Sequence, residues 1–583
     1  MVAATLLSAA AGVAWGLARP SAASSARSQQ PEKGQTHHLK DVKAVGAAGA
    51  AEGIRAPWVI QENARPGTSD WRLTPSPGKG MIEGYADKVS AQQGDRVTLY
   101  VNTDAPSFTV EAYRIGYYGG LGGRLIWHST PQPGVKQQKP DRDLKTNMVD
   151  AQWAPSLTVA LNPSWPQGDY LFKLVAANGH QQYVPLTIRD DRSTAAFVVQ
   201  NAVTTWQAYN LWGGYSLYEG KNGSGGSDYE HRSRVVSFDR PYQLGGGAQD
   251  FPGSELPFVS LVESLGLDVT YWTDVDLHER GGLLAQHKAL LSLSHDEYWS
   301  RTMRDNAKAG RDHGVNIAFF GANAIYRHIR FEPSSNGPDR HQVDYKVARE
   351  DPLFLTDKKE VTSDWRAFPV SEPESTLIGN FYECNPVRAD MVVADDAAWV
   401  FAGAGLSRGD RLHGVVGSEY DRYDSTVPGP KNVQILTHSP LRCHGKPSYS
   451  DMTYYTASSG AGVLATGTND WIVKLSQDCP STVIYTCPKD ALIKITTNVL
   501  NAFGVGPAGL AHPSTGTNLK DLPTSVPDTD VTTSLPLRRR TTRTTRYYYP
   551  PQTQPEPTEP PFTYSPPYTY TTPTTRPRSL LGR

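Results

Sequence analysis

From Ala195 onward the chain repeats one pattern, a short apolar run followed by a helical connection. The runs are "AAFVVQN", "DVTYW", "ALLSLS" and "VNIAFF". Between them, "GSELPFVSLVESLG" spaces Leu256, Val259, Val262 and Leu265 along one helical face, with Gly266 as the stop. "YWSRTMRDNAKAGRDHG" reads as a polar amphipathic helix. Strands returned by helices pair in parallel, and a parallel sheet needs cover on both faces. The pattern therefore predicts an α/β three-layer domain over residues 195–505. The later strands "DRLHGVVGSE", "NVQILTHS" and "GAGVLATGTNDW" complete it, and "DALIKITTNVLNAFG" closes it as a helix.

Residues 81–190 change period. "DRVTLYVNT", "SFTVEAYRIGYY", "GDYLFKLVAAN" and "QQYVPLTIRD" alternate every second residue between Gly, Asn and Pro turns, without a helical stretch. This predicts an immunoglobulin-like β-sandwich ahead of the α/β domain. Residues 29–80 read as a polar linker. Residues 506–583, rich in Pro, Thr, Tyr and Arg, hold too few aliphatic side chains for a core and read as a disordered tail. That tail is a candidate for cell-surface association, with an inert spacer as the alternative.

The first 28 residues carry a short apolar stretch, Val2 to Ala18, and a small-residue site at Ser24-Ser25-Ala26. They resemble a signal peptide without the usual basic start, which predicts a secreted or cell-surface protein. The four cysteines form no C-x-x-C pair. Export predicts two disulfides, Cys384–Cys443 and Cys479–Cys487, against the alternative of four buried thiols. With 57 Lys+Arg against 58 Asp+Glu, the chain lacks the basic excess that a nucleic-acid partner requires.

Ligands of open parallel sheets sit beyond the carboxyl ends of the strands. Three such ends carry unusual chemistry here. "AAFVVQN" runs into "AVTTWQAYNLWGGYSLYEG", with Trp206, Tyr209, Tyr215 and Tyr218. "ALLSLS" runs into His295-Asp296-Glu297, and "VNIAFF" into Gly321-Ala322-Asn323. In extended chain, residues two apart share a side, so His295 and Glu297 point into one pocket and Asp296 away from it. Asp296 is then placed to cap the following helix.

The motifs "TWQAYN", "GGYSLY" followed by "NGSGG", "SHDEYW", "GAN", "GSEYDR" and "GVLATGTNDW" occur in that order over some three hundred residues. In order and spacing they resemble the large (beta) subunit family of N,N-dimethylformamidase. The resemblance implies a core similar to the class I glutamine-amidotransferase-like, flavodoxin-like fold. It also implies a mononuclear iron (Fe3+) held by Tyr209, Tyr218 and Glu297, with zinc or manganese as alternatives, and hydrolysis of a small amide by metal-activated water. His295 and Asn323 take places beside the ligands, and Glu419 in "GSEYDR" that of a proton carrier. Phenolate and carboxylate are hard donors that suit a hard ion.

The family enzyme works with a small second subunit, for which no segment is evident here, and a homo-oligomer is an open alternative. Two rivals stand beside the hydrolase: a metal-free carbohydrate-active or carbohydrate-binding surface protein, with Glu297 and Glu419 as a carboxylate pair, and a non-catalytic adhesin. Gly405-Leu406-Ser407-Arg408-Gly409 matches G-x-S-x-G, but a strand rather than a helix is expected after it, so a serine nucleophile is not predicted.

Overall fold

The computed structural model describes residues 49–74, 81–477 and 488–522. Its centre is a seven-stranded sheet. The strands are β1 (Phe197–Asn201), β2 (Val269–Thr273), β3 (Ala289–Leu293), β4 (Asn316–Phe320), β5 (Gln434–Cys443), β6 (Lys446–Thr456) and β7 (Gly462–Ala465), in spatial order 2-1-3-4-7-6-5. The pairings from β2 to β7 are parallel, and the β7–β6–β5 edge is antiparallel.

Alternation along the strands sorts side chains to two faces. Val199, Leu291, Ala318 and Leu464 gather with Val259 and Val262 of helix Leu256–Ser264 and with Leu492, Ile495 and Val499 of helix Pro488–Phe503. Val198, Leu290, Ile317 and Val463 gather on the other face with Leu277 of helix Asp274–Arg280 and Met303 and Ala307 of helix Arg301–Asp312. Strand order turns between β1 and β3, and at such a turn the crossover helices diverge and leave a crevice at the strand ends.

The segment before this sheet forms two smaller sheets. Strands Ile82–Ala86, Arg96–Thr103 and Leu157–Ala160 make one, and Ser107–Ile115, Gly168–Ala176 and Gln181–Arg189 lie within the other. Val97, Leu99 and Val101 meet Val110, Phe172, Leu174 and Leu186 in a core between them. This unit is tied to the seven-stranded sheet by polar contacts that water does not reach. Arg114 pairs with Glu263, both side chains fully buried, and Glu263 also accepts from Tyr271.

Four expectations are corrected. Within residues 29–80, read as linker, Pro57–Asn63 is a helix whose Val59 joins the main core. Its three apolar residues in a row are too few to show a period. "DRLHGVVGSE" does not join the central sheet; Arg411–Arg422 pairs with Phe381–Val392 in a separate antiparallel ribbon. The helix after β3 starts at Arg301, capped by Ser300 and not by Asp296, because Tyr298–Ser300 first makes a short strand beside Arg327–Ser334. Residues 507–522, assigned to the tail, are packed, with Ala508 and Leu522 buried.

Cys384 and Cys443 form a disulfide with Cα atoms 6.4 Å apart. Cys479, Cys487, the leader and residues 523–583 lie outside the described residues. Among the described residues no helix is long and apolar enough to cross a membrane.

Candidate active site

β1 runs directly into helix α1 (Val203–Tyr209), whose last residue is Tyr209. The loop that follows is moulded on one side chain. The buried Arg240 guanidinium donates to the carbonyls of Asn210 (2.9 Å), Trp212 (3.1 Å) and Tyr215 (2.9 Å), and to Gln207 Oε1 (3.1 Å). Burial pulls its pKa down to about 9. The loop so held returns Tyr218 onto Tyr209, ring centroids 4.3 Å apart and planes at 24°.

The second strand end is shaped by backbone. Ser294 sits in the left-handed region (φ 56°), which swings the chain off β3. β4 ends beside it at Gly321, where an added Cβ would lie 1.7 Å from the Ser294 carbonyl oxygen, so only glycine permits this approach. His295 and Glu297 face the Tyr209–Tyr218 pair. Asp296 faces away, into a buried network with Gln200 (3.0 Å), Ser292 (2.7 Å) and Trp299 Nε1 (2.7 Å).

At the crevice the oxygens of three side chains meet. Tyr209 Oη donates to Glu297 Oε2 at 3.0 Å, and Tyr218 Oη lies 3.0 Å from Oε1 and 3.1 Å from Oε2. The Glu297 amide donates to Thr205 of α1 (3.0 Å), locking the two strand ends together. His295 Nε2 is 3.2 Å from both Glu297 Oε2 and Glu419 Oε2. Asn323, itself left-handed (φ 57°), donates through Nδ2 to Glu419 Oε2 at 2.8 Å, and Nδ2 lies 3.2 Å from His295 Nε2. The fold thus brings all six candidate residues into one cluster.

Charge in the cluster is balanced locally. Burial works to raise the Glu297 carboxyl, but His295 against it and Lys346 and Arg327 nearby hold it at about 2. Burial works to lower His295, yet Glu419 and Glu297 raise it well above its ordinary value, which favours the protonated ring. Burial and the Glu297 charge push Tyr209 and Tyr218 well above the ordinary phenol range, leaving both protonated and donating.

This donor set fits a metal. Two phenols and a carboxylate converge through oxygen alone, and a cation in place of the two phenolic protons has three hard anionic ligands. The Arg327 charge favours an ionised Tyr218, which offsets part of its burial cost.

No local pattern in the sequence marks Lys346 or Arg327, whose charges lie near Glu297. Lys346 is buried, donates to Tyr298 Oη (2.9 Å) and lies 3.6 Å from the centre of the Tyr218 ring, and Tyr298 in turn donates to Tyr218. In the carboxylate-pair alternative, Glu297, held low, would be the ionised member of the pair. Gly405 to Gly409 is a turn that leads into strand Arg411–Arg422, not an elbow before a helix.

Residues 109–481 match the family described as N,N-dimethylformamidase beta subunit-like, C-terminal. Over 348 residues the chain is 24% identical to the N,N-dimethylformamidase beta subunit of an Alcaligenes species, an alignment covering 50% of this chain and 42% of that relative. The chain therefore spans less than half of the relative's length. The matched segment contains all six clustered residues and reaches back past residue 195 into the β-sheet unit. This chain belongs to the N,N-dimethylformamidase beta subunit-like C-terminal family.

Proposed function

We propose that this protein hydrolyses the C–N bond of a small amide at a mononuclear metal centre held by Tyr209, Tyr218 and Glu297, with ferric iron as the ion best suited to those donors. The observation that carries the reading is the meeting of two phenol oxygens with one carboxylate at adjacent strand ends, 3.0–3.1 Å apart. Family membership supports it. The central strand order, 2-1-3-4 with helices on both faces, supports a doubly wound three-layer class with its ligand site at the turn in that order.

Such an ion, when bound, supplies Lewis acidity toward the amide carbonyl. The remaining work falls to the chain. Asn323 gives one N–H to Glu419 and keeps a second beside the cluster for the oxyanion charge that develops as the oxygen of water bonds to the carbonyl carbon. His295, an imidazolium between two carboxylates, carries a proton within reach of Glu419. The C–N bond breaks as that proton passes to the nitrogen, Glu419 takes the proton that the water gives up and returns it to His295, and the products are a carboxylic acid and an amine. Export belongs to the same proposal and is supported by the Cys384–Cys443 disulfide, since such bonds persist in oxidising compartments.

Elemental analysis of the purified protein tests the centre. One iron per chain and a visible phenolate-to-iron absorption are expected, and Glu297→Gln should lose the metal and amide hydrolysis together. A wild-type protein that binds no metal and cleaves no amide would end the proposal.

A further inference from the structure

We infer that the Cys384–Cys443 disulfide sets the activity of this site by pinning Asn385, a positioning residue for Glu419. The inference rests on the amidase reading for its effect on rate, but its geometric content is independent of it.

Glu419 lies on strand Arg411–Arg422, opposite strand Phe381–Val392. In that ribbon Cys384 is paired with Tyr420 and Val387 with Ser418, and the register breaks between the two pairs. Asn385 falls in this bulge, where no ladder bond fixes it, and bulges of this kind re-aim a side chain. Its Nδ2 donates to Glu419 Oε1 at 3.0 Å. Asn323 holds the other oxygen, Oε2, at 2.8 Å. The carboxylate is thus gripped by an amide on each side and turned toward His295.

Two attachments from one hairpin hold the bulge in place. Cys384 is bonded to Cys443 at the end of β5. The next residue, His444, donates through Nε2 to the Asn385 carbonyl at 2.8 Å. Residues on both sides of the Asn385 α-carbon are therefore anchored to the same turn. With the disulfide open, the Cys384–Tyr420 pairing and one hydrogen bond from an imidazole remain, neither of which fixes the Asn385 side chain, and its amide is freer to leave Glu419.

Reduction is a two-electron step. A dithiol or phosphine reductant is oxidised and two protons end on the two sulfurs; with a phosphine, one water supplies both protons and its oxygen becomes the phosphine oxide. Losing a hydrogen bond to a carboxylate at the proton carrier should lower kcat by about tenfold with KM and iron content unchanged.

The test reads Glu419 directly in the full-length protein. Oxidised and phosphine-reduced samples, with thiols mapped at Cys384 and Cys443, are labelled by a carbodiimide and an amine, and modification of Glu419 is followed by mass spectrometry. Reduction and Asn385→Ala should each raise its labelling rate severalfold, and reduction of Asn385→Ala should add nothing further. Asn385→Asp, nearly isosteric but presenting an acceptor to Glu419, should lower kcat more than Asn385→Ala does. Unchanged labelling on reduction, additive effects of reduction and Asn385→Ala, or a milder Asn385→Asp each overturn the inference. If labelling responds as expected while the wild type hydrolyses no amide, the positioning stands and the amidase reading falls.

Discussion

Replacing Gly321 by alanine should disable the site without touching any of its polar groups. The new Cβ would start 1.7 Å from the Ser294 carbonyl oxygen. Contacts below 3.0 Å are essentially absent between such atoms, so the ends of β3 and β4 must part by at least the difference, about 1.3 Å. Both atoms in conflict belong to backbone or sit directly on it, so no rotamer change relieves them. His295 directly follows the displaced carbonyl and Asn323 lies two residues beyond the substitution, so two side chains that touch in the cluster, 3.2 Å apart, are drawn from each other. A misplacement of about 1 Å costs on the order of 10²-fold in rate, and forced overpacking costs roughly 1–3 kcal/mol of stability. Gly53, whose Cβ would meet nothing within 4 Å, is the matched control. Amide hydrolysis, bound iron and thermal unfolding should all suffer in Gly321→Ala and be unchanged in Gly53→Ala. A Gly321→Ala protein with wild-type rate and melting temperature would refute the claim that this approach shapes the site.

Asn323→Ala leaves the three proposed ligands in place, so it should keep its iron but turn over ~10²–10³-fold more slowly if the amide is an oxyanion donor. His295→Ala should cost ~10–100-fold, divided between metal retention and rate, because its ring touches Glu297 as well as Glu419. Metal analysis beside steady-state kinetics separates the two. Far from the pocket, burial and then nearby Arg301 hold His328 at about 3, against 6.5 when unfolded, with its Nδ1 donating to the Val361 carbonyl. Below pH 6.5 the unfolded chain takes up a proton that the folded ring refuses, so stability falls from there down to about pH 3, at up to ~1.4 kcal/mol per pH unit. Denaturant titrations of His328→Phe between pH 6 and 4 should lack this share of the slope, and equal slopes in both proteins would contradict it.

The strand ends were legible because burial on both faces leaves a sequence signature and polar residues just past it stand out. Alternation placed His295 and Glu297 on one side and Asp296 on the other. It gave Asp296 the wrong task, since a side chain turned from the pocket here meets Gln200 and Trp299 rather than a helix end. Ser300 showed the better cap signal, three residues before Met303, whose amide it accepts. Lys346 and Asn385 carry no local pattern. They reach the cluster through contacts spanning 48 residues to Tyr298 and 34 to Glu419, which no window on the sequence contains. The Arg411–Arg422 strand was readable as a strand, but its partner was not, because pairing is decided by tertiary contacts.

Arg240 holds its loop as a template holds a casting. The shape of the Gln207–Tyr215 turn is recorded in the reach of one guanidinium that the ribosome adds only after the whole turn has been made. Until residue 240 arrives, the carbonyls of Asn210, Trp212 and Tyr215 have water as their partner and Tyr218 has no fixed address. Lysine at 240 could carry the charge but not the span, since three donors on one nitrogen cannot reach acceptors spread around a planar fork.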